Sequence, residues 1–319
     1  MAERLTEFVL AADEVGRLQR GDDPECRFFQ SFCELGHYGG RTQPSNTRQG
    51  IYAVARSGRF LASINHHHAD RVAKMLDDAL AAWGRLSREE RLLAEDPVER
   101  GRGNRRFESR FPKGGIAMRV TTRDLARDET RRRDDWGRSW NEDQAWFRPE
   151  EIAATFGPAA SARAGAAWDA PPEVVRRIAR CHLVDNVRGQ TLPFRPEEIE
   201  RAALRVIHER TKDGVARVRL EGNSRASAAG RWSVGGRSPE AGEQTRGFEA
   251  TWFGYAEWDV KAGALKSFEL VVTGTRWGGT RYNVRHEDLD PAPMGCVIRL
   301  ISVPPESLVA PAHVWSYGW

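Results

Sequence analysis

Residues 47–65 decide the fold of the first part of the chain, and they read TRQGIYAVARSGRFLASIN. Residues 51–55 and 60–64 have the alternating side-chain pattern typical of strands. The segment Arg56–Arg59 lies between these strands and supplies a polar turn that contains a glycine. The run from Asp70 to about Trp83 then places its apolar side chains at helical spacing. This pattern predicts a β-hairpin that is followed by an amphipathic helix.

The four cysteines of the chain are Cys26, Cys33, Cys181 and Cys296, and no two of them stand three residues apart. Asp23 and Pro24 predict the start of a helix that carries Cys26 and Cys33 on one face and stops at Gly36. On a helix these two residues lie roughly 10 Å apart, which exceeds the separation of about 7 Å that a disulfide allows. We therefore expect mostly reduced cysteines.

The order of strand, turn, strand and helix is the order in which a thioredoxin fold ends. Residues 47–52 (TRQGIY) and 176–191 (RRIARCHLVDNVRGQT) resemble segments of a group of uncharacterised bacterial proteins with a thioredoxin-like domain at the front. The resemblance extends into the C-terminal strands, so it covers most of the chain. It implies a fold but no activity, and the absence of a Cys-x-x-Cys motif argues against disulfide exchange.

Length and composition predict a globular protein of two or three domains, since the chain has 319 residues of which 40% are hydrophobic. Its 49 basic and 45 acidic residues are interleaved, which makes nucleic acid an unlikely partner. No run of about 18 apolar residues predicts a membrane span. The N-terminal sequence given lacks the features of a signal peptide, so we expect a cytoplasmic protein by default, or an exported one if a leader was trimmed.

The predicted fold class is α+β. Residues 1–95 form the thioredoxin-like domain without its redox motif, and residues 96–319 form a second α+β domain. The second domain is predicted to contain a helical layer at 149–200, an antiparallel β region at 202–303 and a C-terminal tail at 304–319. Long strands with interior glycines favour a curved sheet or an open barrel with one helix-covered face.

Two sets of helix signals support these assignments. Ser87 and Glu90 have the spacing of a capping box. Proline opens two helices of the second domain, one from Pro149 to about Phe156 and one from Pro172 to about Val184. The predicted strands lie at Gly115–Thr122, Ala203–Thr211, Val215–Gly222, Gly247–Asp259, Ala264–Trp277 and Met294–Val303.

His66, His67 and His68 concentrate imidazole groups just before the predicted helix. Imidazole suits zinc, copper or nickel, so a transition metal is the cofactor that this run would take. Adjacent residues of an extended chain point in opposite directions, however, and three consecutive histidines converge on one ion only in a tight turn. The competing interpretation is an exposed polar turn.

His182 and Asp185 lie three residues apart at the end of a predicted helix, where a carboxylate could orient the imidazole for general-base chemistry. Arg188 could then hold an anionic substrate. The alternative is structural, with His182 near the negative end of the helix dipole and the following polar residues tying the turn.

Trp252, Trp277, Arg276 and Tyr282 predict a pocket for a sugar or an aromatic ligand, with the glycine-rich residues 276–283 at its rim. Packing of the tryptophans in the core is the competing interpretation. No strand, glycine-rich loop and helix follow one another here, so the sequence does not predict nucleotide binding.

These patterns favour a non-redox thioredoxin-like protein that acts as a ligand-binding or protein-interaction module, with a small molecule or a protein as its unidentified partner. One alternative is a thiol-based redox protein that uses Cys26 or Cys33. Another is a metal-dependent or hydrolytic enzyme that uses the histidine run or His182 with Asp185.

Overall fold

The computed structural model describes residues 2–12, 15–19, 21, 24–37, 47–92, 110–127, 139–235, 242–302 and 308–319. The chain divides into two compact units, Met1–Arg106 and Phe107–Trp319. The domain boundary predicted near residue 95 lies outside the described residues.

The first unit contains a two-stranded antiparallel sheet and several helices. Its described elements are α1 (Ala2–Leu5), α2 (Val15–Leu18), α3 (Pro24–Cys33), β1 (Ile51–Val54), β2 (Phe60–Ile64), α4 (Ala69–Arg85) and α5 (Arg88–Arg91). The predicted hairpin and the helix after it are therefore confirmed, as is the helix that begins at Pro24. The capping box is also confirmed, because the Ser87 side chain accepts from the backbone N–H of Glu90, and the Glu90 side chain accepts from that of Ser87.

The hairpin lies between two helices because its side chains alternate between two faces. Ala53 packs with the apolar face of α4, which buries Val72, Met75, Leu76 and Ala79. Tyr52 and Val54 point to the other side and pack with Phe29 and Phe32 of α3. The hairpin and α4 follow one another in the predicted order, and assignment to a thioredoxin-like fold stays a prediction.

The second unit is built on one eight-stranded antiparallel sheet with the order β4-β3-β10-β9-β8-β7-β6-β5. The strands are β3 (Ile116–Asp124), β4 (Trp140–Phe147), β5 (Ala167–Asp169), β6 (Ile199–Lys212), β7 (Val215–Gly230), β8 (Gln244–Asp259), β9 (Ala264–Gly278) and β10 (Ala292–Leu300). The helices are α6 (Pro149–Phe156) and α7 (Pro172–Cys181), and 3-10 turns occur at Gly157–Ala160, Pro196–Glu198 and Val314–Ser316. The predicted α+β class with a large antiparallel sheet is confirmed.

One face of this sheet forms the main hydrophobic core with the two helices. Trp252, Leu270 and Ile298 of the central strands pack there together with Phe156 of α6 and Ile178 of α7. Alternate residues of each strand face away from the core, which gives the strands their alternating burial pattern. The helices therefore cover one face of the sheet, as the sequence predicts.

The sheet differs from the predicted β region in its extent. β3 and β4 join it beside β10, although both precede residue 202, and β5 lies inside the predicted helical layer. β7 continues past Gly222, which was expected to end it. A Cβ atom at Gly222 would lie 2.5 Å from the carbonyl oxygen of Ala203, so glycine permits a close approach between paired strands here.

The described part of the predicted C-terminal tail, residues 308–319, packs against the edge strand β4. The backbone N–H groups of Val309 and Ala312 donate to the side chains of Gln144 and Asp143 at 3.2 and 2.9 Å. Tyr317 is buried in a second apolar cluster. Covering an edge strand in this way removes a template for unwanted strand pairing.

Among the residues described, none of the helices combines the length and the apolar character needed to cross a membrane.

A pair of glycine substitutions tests the hairpin geometry. Gly58 has φ of +84°, and a Cβ atom there would lie 2.6 Å from the ring of Phe28, so Gly58→Ala should destabilise the first unit by about 1–2 kcal/mol. Gly84 lies in α4 with nothing within 4 Å of such an atom, and Gly84→Ala should stabilise it by up to about 1 kcal/mol. Urea unfolding and hydrogen exchange in residues 51–85 measure both effects. Equal changes in the two variants would contradict the assigned turn.

Candidate functional site

Charged side chains that are distant in sequence meet inside the second unit. We call them the Arg–Asp cluster, and its members are Asp124, Asp185, Asp288, Arg127, Arg188, Arg276 and Arg285. They come from the end of β3 and the residues just after it, the segment after α7, strand β9 and the loop between β9 and β10. The cluster thus joins four parts of the chain.

Arg285 is the centre of the Arg–Asp cluster and has no exposed surface. Its Nη1 and Nη2 donate to the two carboxylate oxygens of Asp124 at 2.9 and 2.7 Å. Its Nε and Nη2 donate to the two oxygens of Asp185 at 2.8 and 2.7 Å. Burial alone would lower the pKa of Arg285, but the hydrogen bonds from these two carboxylates outweigh it and raise the pKa.

Two carboxylates of the Arg–Asp cluster, those of Asp124 and Asp288, are held in their charged form. Burial raises the pKa of Asp124, but hydrogen bonds and charge from Arg285 and Arg188 outweigh burial, so the pKa lies below its usual value. Arg276 and Arg127 hold the pKa of Asp288 well below the usual value against the same effect of burial. Because the oxygens of these carboxylates already accept from arginine, the cluster is suited to holding the fold and not to accepting a substrate proton.

The loop that carries Arg285 is itself constrained. Val284, a β-branched residue, has φ of +55°, a conformation that side chains of this type rarely adopt. Beside it, the Asn283 side chain accepts from the backbone N–H of Thr280 at 2.8 Å. The strain at Val284 is retained because the contacts of Asn283 and Arg285 on either side determine the backbone.

The predicted pair of His182 and Asp185 is not formed. α7 ends at Cys181, so residues 182 and 185 do not share a helical face, and the spacing argument fails. Asp185 and Arg188 both join the Arg–Asp cluster. His182 instead lies with its Nε2 at 2.5 Å from the hydroxyl of Tyr317 and its Nδ1 at 3.3 Å from Asp143.

His182, Asp143 and Tyr317 form a second polar group, to which His313 is adjacent. Sequence reasoning missed this group because three of its members lie far from His182 along the chain. Burial raises the pKa of Tyr317 well above its usual value and lowers the pKa of His313 to about 4. The imidazole of His182 is only 3% exposed. The arrangement ties the C-terminal residues to α7 and β4.

The four cysteines are buried thiols. Burial raises the pKa of the Cys33 thiol, with a smaller contribution from Glu34, and raises that of Cys181 to about 11. Cys26 and Cys33 lie on α3 with no exposed surface. A buried thiol with a raised pKa is a poor nucleophile, so these features oppose thiol chemistry at Cys33.

The histidine run does not form a chelating group. The Nδ1 atom of His66 accepts the backbone N–H of His68 at 2.9 Å, and the rings of His66 and His67 stack. In the part of the chain that the structure describes, no three histidine, cysteine, aspartate or glutamate side chains are grouped so that they could hold a metal ion.

The predicted pocket of Trp252, Trp277, Arg276 and Tyr282 is also not formed, because neighbouring residues of a strand face opposite sides of the sheet. Trp252 is in the core, where its indole N–H donates to Ser224 at 3.1 Å. Arg276 points inward to Asp288. Trp277 faces the other side, beneath the guanidinium of Arg225, and Tyr282 is exposed.

The surface of the first unit contains an open cavity of about 350 Å³ that sequence reasoning missed. We call it the Trp83 cavity, and its lining residues are Arg56, Trp83, Leu86, Arg88, Arg91 and Leu92. They come from the hairpin turn, the end of α4 and helix α5. The one feature of the sequence that could have indicated this cavity is the density of arginines around the predicted capping box.

The elements around the Trp83 cavity are held together by specific contacts. The hydroxyl of Ser57 in the hairpin turn donates to the backbone carbonyl of Glu90 in α5. The guanidinium of Arg91 lies 5.0 Å from the centre of the Trp83 ring and donates to the carbonyl of Gly84 at 3.3 Å. These contacts place the arginines beside an aromatic surface.

Comparisons with models of protein families, with curated proteins and with solved structures found no match to this chain.

A charge deletion tests the role of the Arg–Asp cluster. Arg285→Gln leaves two buried carboxylates without their main partner and should lower the free energy of unfolding by about 3–5 kcal/mol. Arg299 forms an exposed ion pair with Glu269 on the same sheet, so Arg299→Gln should cost less than about 1 kcal/mol. Urea unfolding followed by circular dichroism compares the two. Similar losses in both variants would show that the cluster is not a special determinant of stability.

The same cluster predicts acid sensitivity. Asp124 and Asp288 have pKa values below the usual value of about 3.9, so at that pH the unfolded chain binds more protons than the folded one. Their stabilising contribution is complete above about pH 4 and is lost as the pH falls toward the folded pKa values. The urea concentration at the midpoint of unfolding should fall as the pH is lowered over this range, and Asp124→Asn should reduce this dependence of the midpoint on pH. A midpoint independent of pH would contradict the assignment.

Proposed function

We propose that the first unit is a thioredoxin-like module without redox activity, and that it binds a small ligand in the Trp83 cavity. The single observation that carries this proposal is the cavity itself. It combines an aromatic side chain with three arginines, and among the described residues none of these arginines pairs with an acidic side chain. Ligand sites in proteins are concave and mainly apolar, with a few charged groups that fix orientation.

The state of the other reactive groups also supports binding over catalysis. The thiols of Cys26 and Cys33 are enclosed, and the carboxylates of the Arg–Asp cluster are engaged by arginine. His182 is enclosed with Tyr317. By contrast, Arg56 and Arg88 are exposed at the cavity, where a ligand can reach them.

The thioredoxin-like assignment of the module rests on two points. One is the resemblance carried by residues 47–52. The other is the hairpin followed by α4, whose apolar face packs against it. A thioredoxin-like unit without a Cys-x-x-Cys motif keeps the scaffold and loses the means of disulfide exchange, which leaves binding as its function.

Thiol reactivity separates this proposal from the redox alternative. In the native protein all four cysteines should react with a dithiobis-nitrobenzoate reagent at least about a hundredfold more slowly than after unfolding in urea, because they are buried. The protein should not accelerate the reduction of insulin disulfides, and Cys26→Ser and Cys33→Ser variants should behave as the parent does. Rapid reaction of one native thiol, lost in one of these variants, would favour the thiol-redox alternative.

Ligand binding is tested on the same protein by the NMR signal of the Trp83 indole N–H, assigned with a Trp83→Phe variant. A panel of neutral, anionic and cationic aromatic fragments should contain at least one class that shifts this signal at saturable concentration. If no class shifts it, the proposed module has no ligand site at Trp83.

A further inference from the structure

We infer that the ligand of the Trp83 cavity is an organic anion with a flat apolar body, such as an aromatic carboxylate, sulfonate or phosphate ester. The inference rests on the proposed binding function and names the class of ligand. It is carried by the charge of the lining, the nature of its apolar part and the way the lining residues are fixed.

The described part of the lining carries positive charge and no carboxylate. Arg56, Arg88 and Arg91 border the cavity, and no acidic residue in the described part of the chain does. Glu90 of α5 is not a lining residue, and its carboxylate accepts from the Ser87 backbone N–H at 2.9 Å and lies 3.7 Å from Arg59. Glu90 is therefore engaged outside the described lining, and the lining arginines can pair with an external anion.

Arg91 holds the aromatic side of the lining in place. Its Nη2 donates to the carbonyl of Gly84, and its guanidinium lies over the Trp83 ring. A guanidinium group offers paired N–H donors that match the oxygens of a carboxylate or phosphate. The exposed guanidinium groups of Arg56 and Arg88 are thus the ones suited to the acidic group of a ligand.

The apolar part of the lining fits a flat body beside that acidic group. Trp83 offers an aromatic surface, and Leu86 and Leu92 complete the apolar side. A volume of about 350 Å³ suits a molecule with one or two rings. Stacking of the Arg91 guanidinium over the Trp83 ring places the positive charge directly beside the aromatic surface.

The lining is fixed before a ligand binds. The capping box of Ser87 and Glu90 starts α5, and Ser57 ties the hairpin turn to Glu90. The backbone that carries the arginines of α5 and of the turn is therefore held in place by these contacts. Such preorganisation reduces the entropic cost of binding.

The test uses the full-length protein and two matched fluorescent probes. Anilinonaphthalene sulfonate carries a negative charge, and phenylnaphthylamine has the same ring system without it. We expect the sulfonate to bind at least about tenfold more tightly than the neutral probe, because charge-assisted hydrogen bonds to arginine add to the same apolar contact. Arg56→Gln/Arg88→Gln should bring the affinity for the sulfonate close to that for the neutral probe.

Two control variants locate the effect. Arg71→Gln/Arg85→Gln removes the same charge from exposed positions of α4 outside the lining, and it should leave both affinities unchanged. Trp83→Leu should weaken the binding of both probes. Circular dichroism and urea unfolding of each variant show that the fold is retained.

The outcomes separate the two proposals. If both probes bind equally well, and Trp83→Leu lowers their affinity but Arg56→Gln/Arg88→Gln does not, the anion assignment is overturned and the binding function stays in place. If the affinity for the sulfonate falls equally in Arg56→Gln/Arg88→Gln and in Arg71→Gln/Arg85→Gln, binding reflects the total charge of the protein alone. That result would also overturn the anion site. If Trp83→Leu changes neither affinity, the proposed binding function at this cavity is wrong as well.

Discussion

Arg285 is a charged side chain without exposed surface, and the architecture of the second unit depends on neutralising it. Its partners Asp124 and Asp185 come from the end of β3 and from the segment that follows α7. A single guanidinium therefore fixes the helical layer to the sheet. Removing Arg285 would leave the charges of Asp124 and Asp185 without this partner, and the same contacts hold the loop in place despite the strain at Val284.

This constraint separates charge that maintains the fold from charge that is open to a ligand. The Arg–Asp cluster has its arginines and carboxylates matched to one another inside the second unit, whereas the described lining of the Trp83 cavity in the first unit presents arginines without carboxylates. Arginine thus serves two purposes, since it maintains the fold in one unit and is open to a ligand in the other. Burial and pairing with carboxylates distinguish the two roles. The binding function proposed here follows from that distinction and from the enclosure of the thiols.

Local patterns in the sequence were sufficient to predict the hairpin, α4, α6 and the long central strands, because each has a clear apolar period. β4 was missed because its first half, Asn141–Gln144, is polar. The Arg–Asp cluster could not be predicted, since Asp124 and Arg285 are 161 residues apart and only the strand order brings them together. Spacing gave a wrong expectation at His182 and Asp185, because the helix ends at Cys181, before both residues.

Hydrogen–deuterium exchange of the full-length protein with and without anilinonaphthalene sulfonate tests the central claim most directly, because it locates binding along the chain. The account predicts slower exchange in peptides that cover residues 55–59 and 83–92, with no change in the segments that carry Asp124, Asp185 and Arg285. Slower exchange in those segments, without change around Trp83, would contradict it. The ligand site would then lie in the second unit, at charges that are here assigned to the fold.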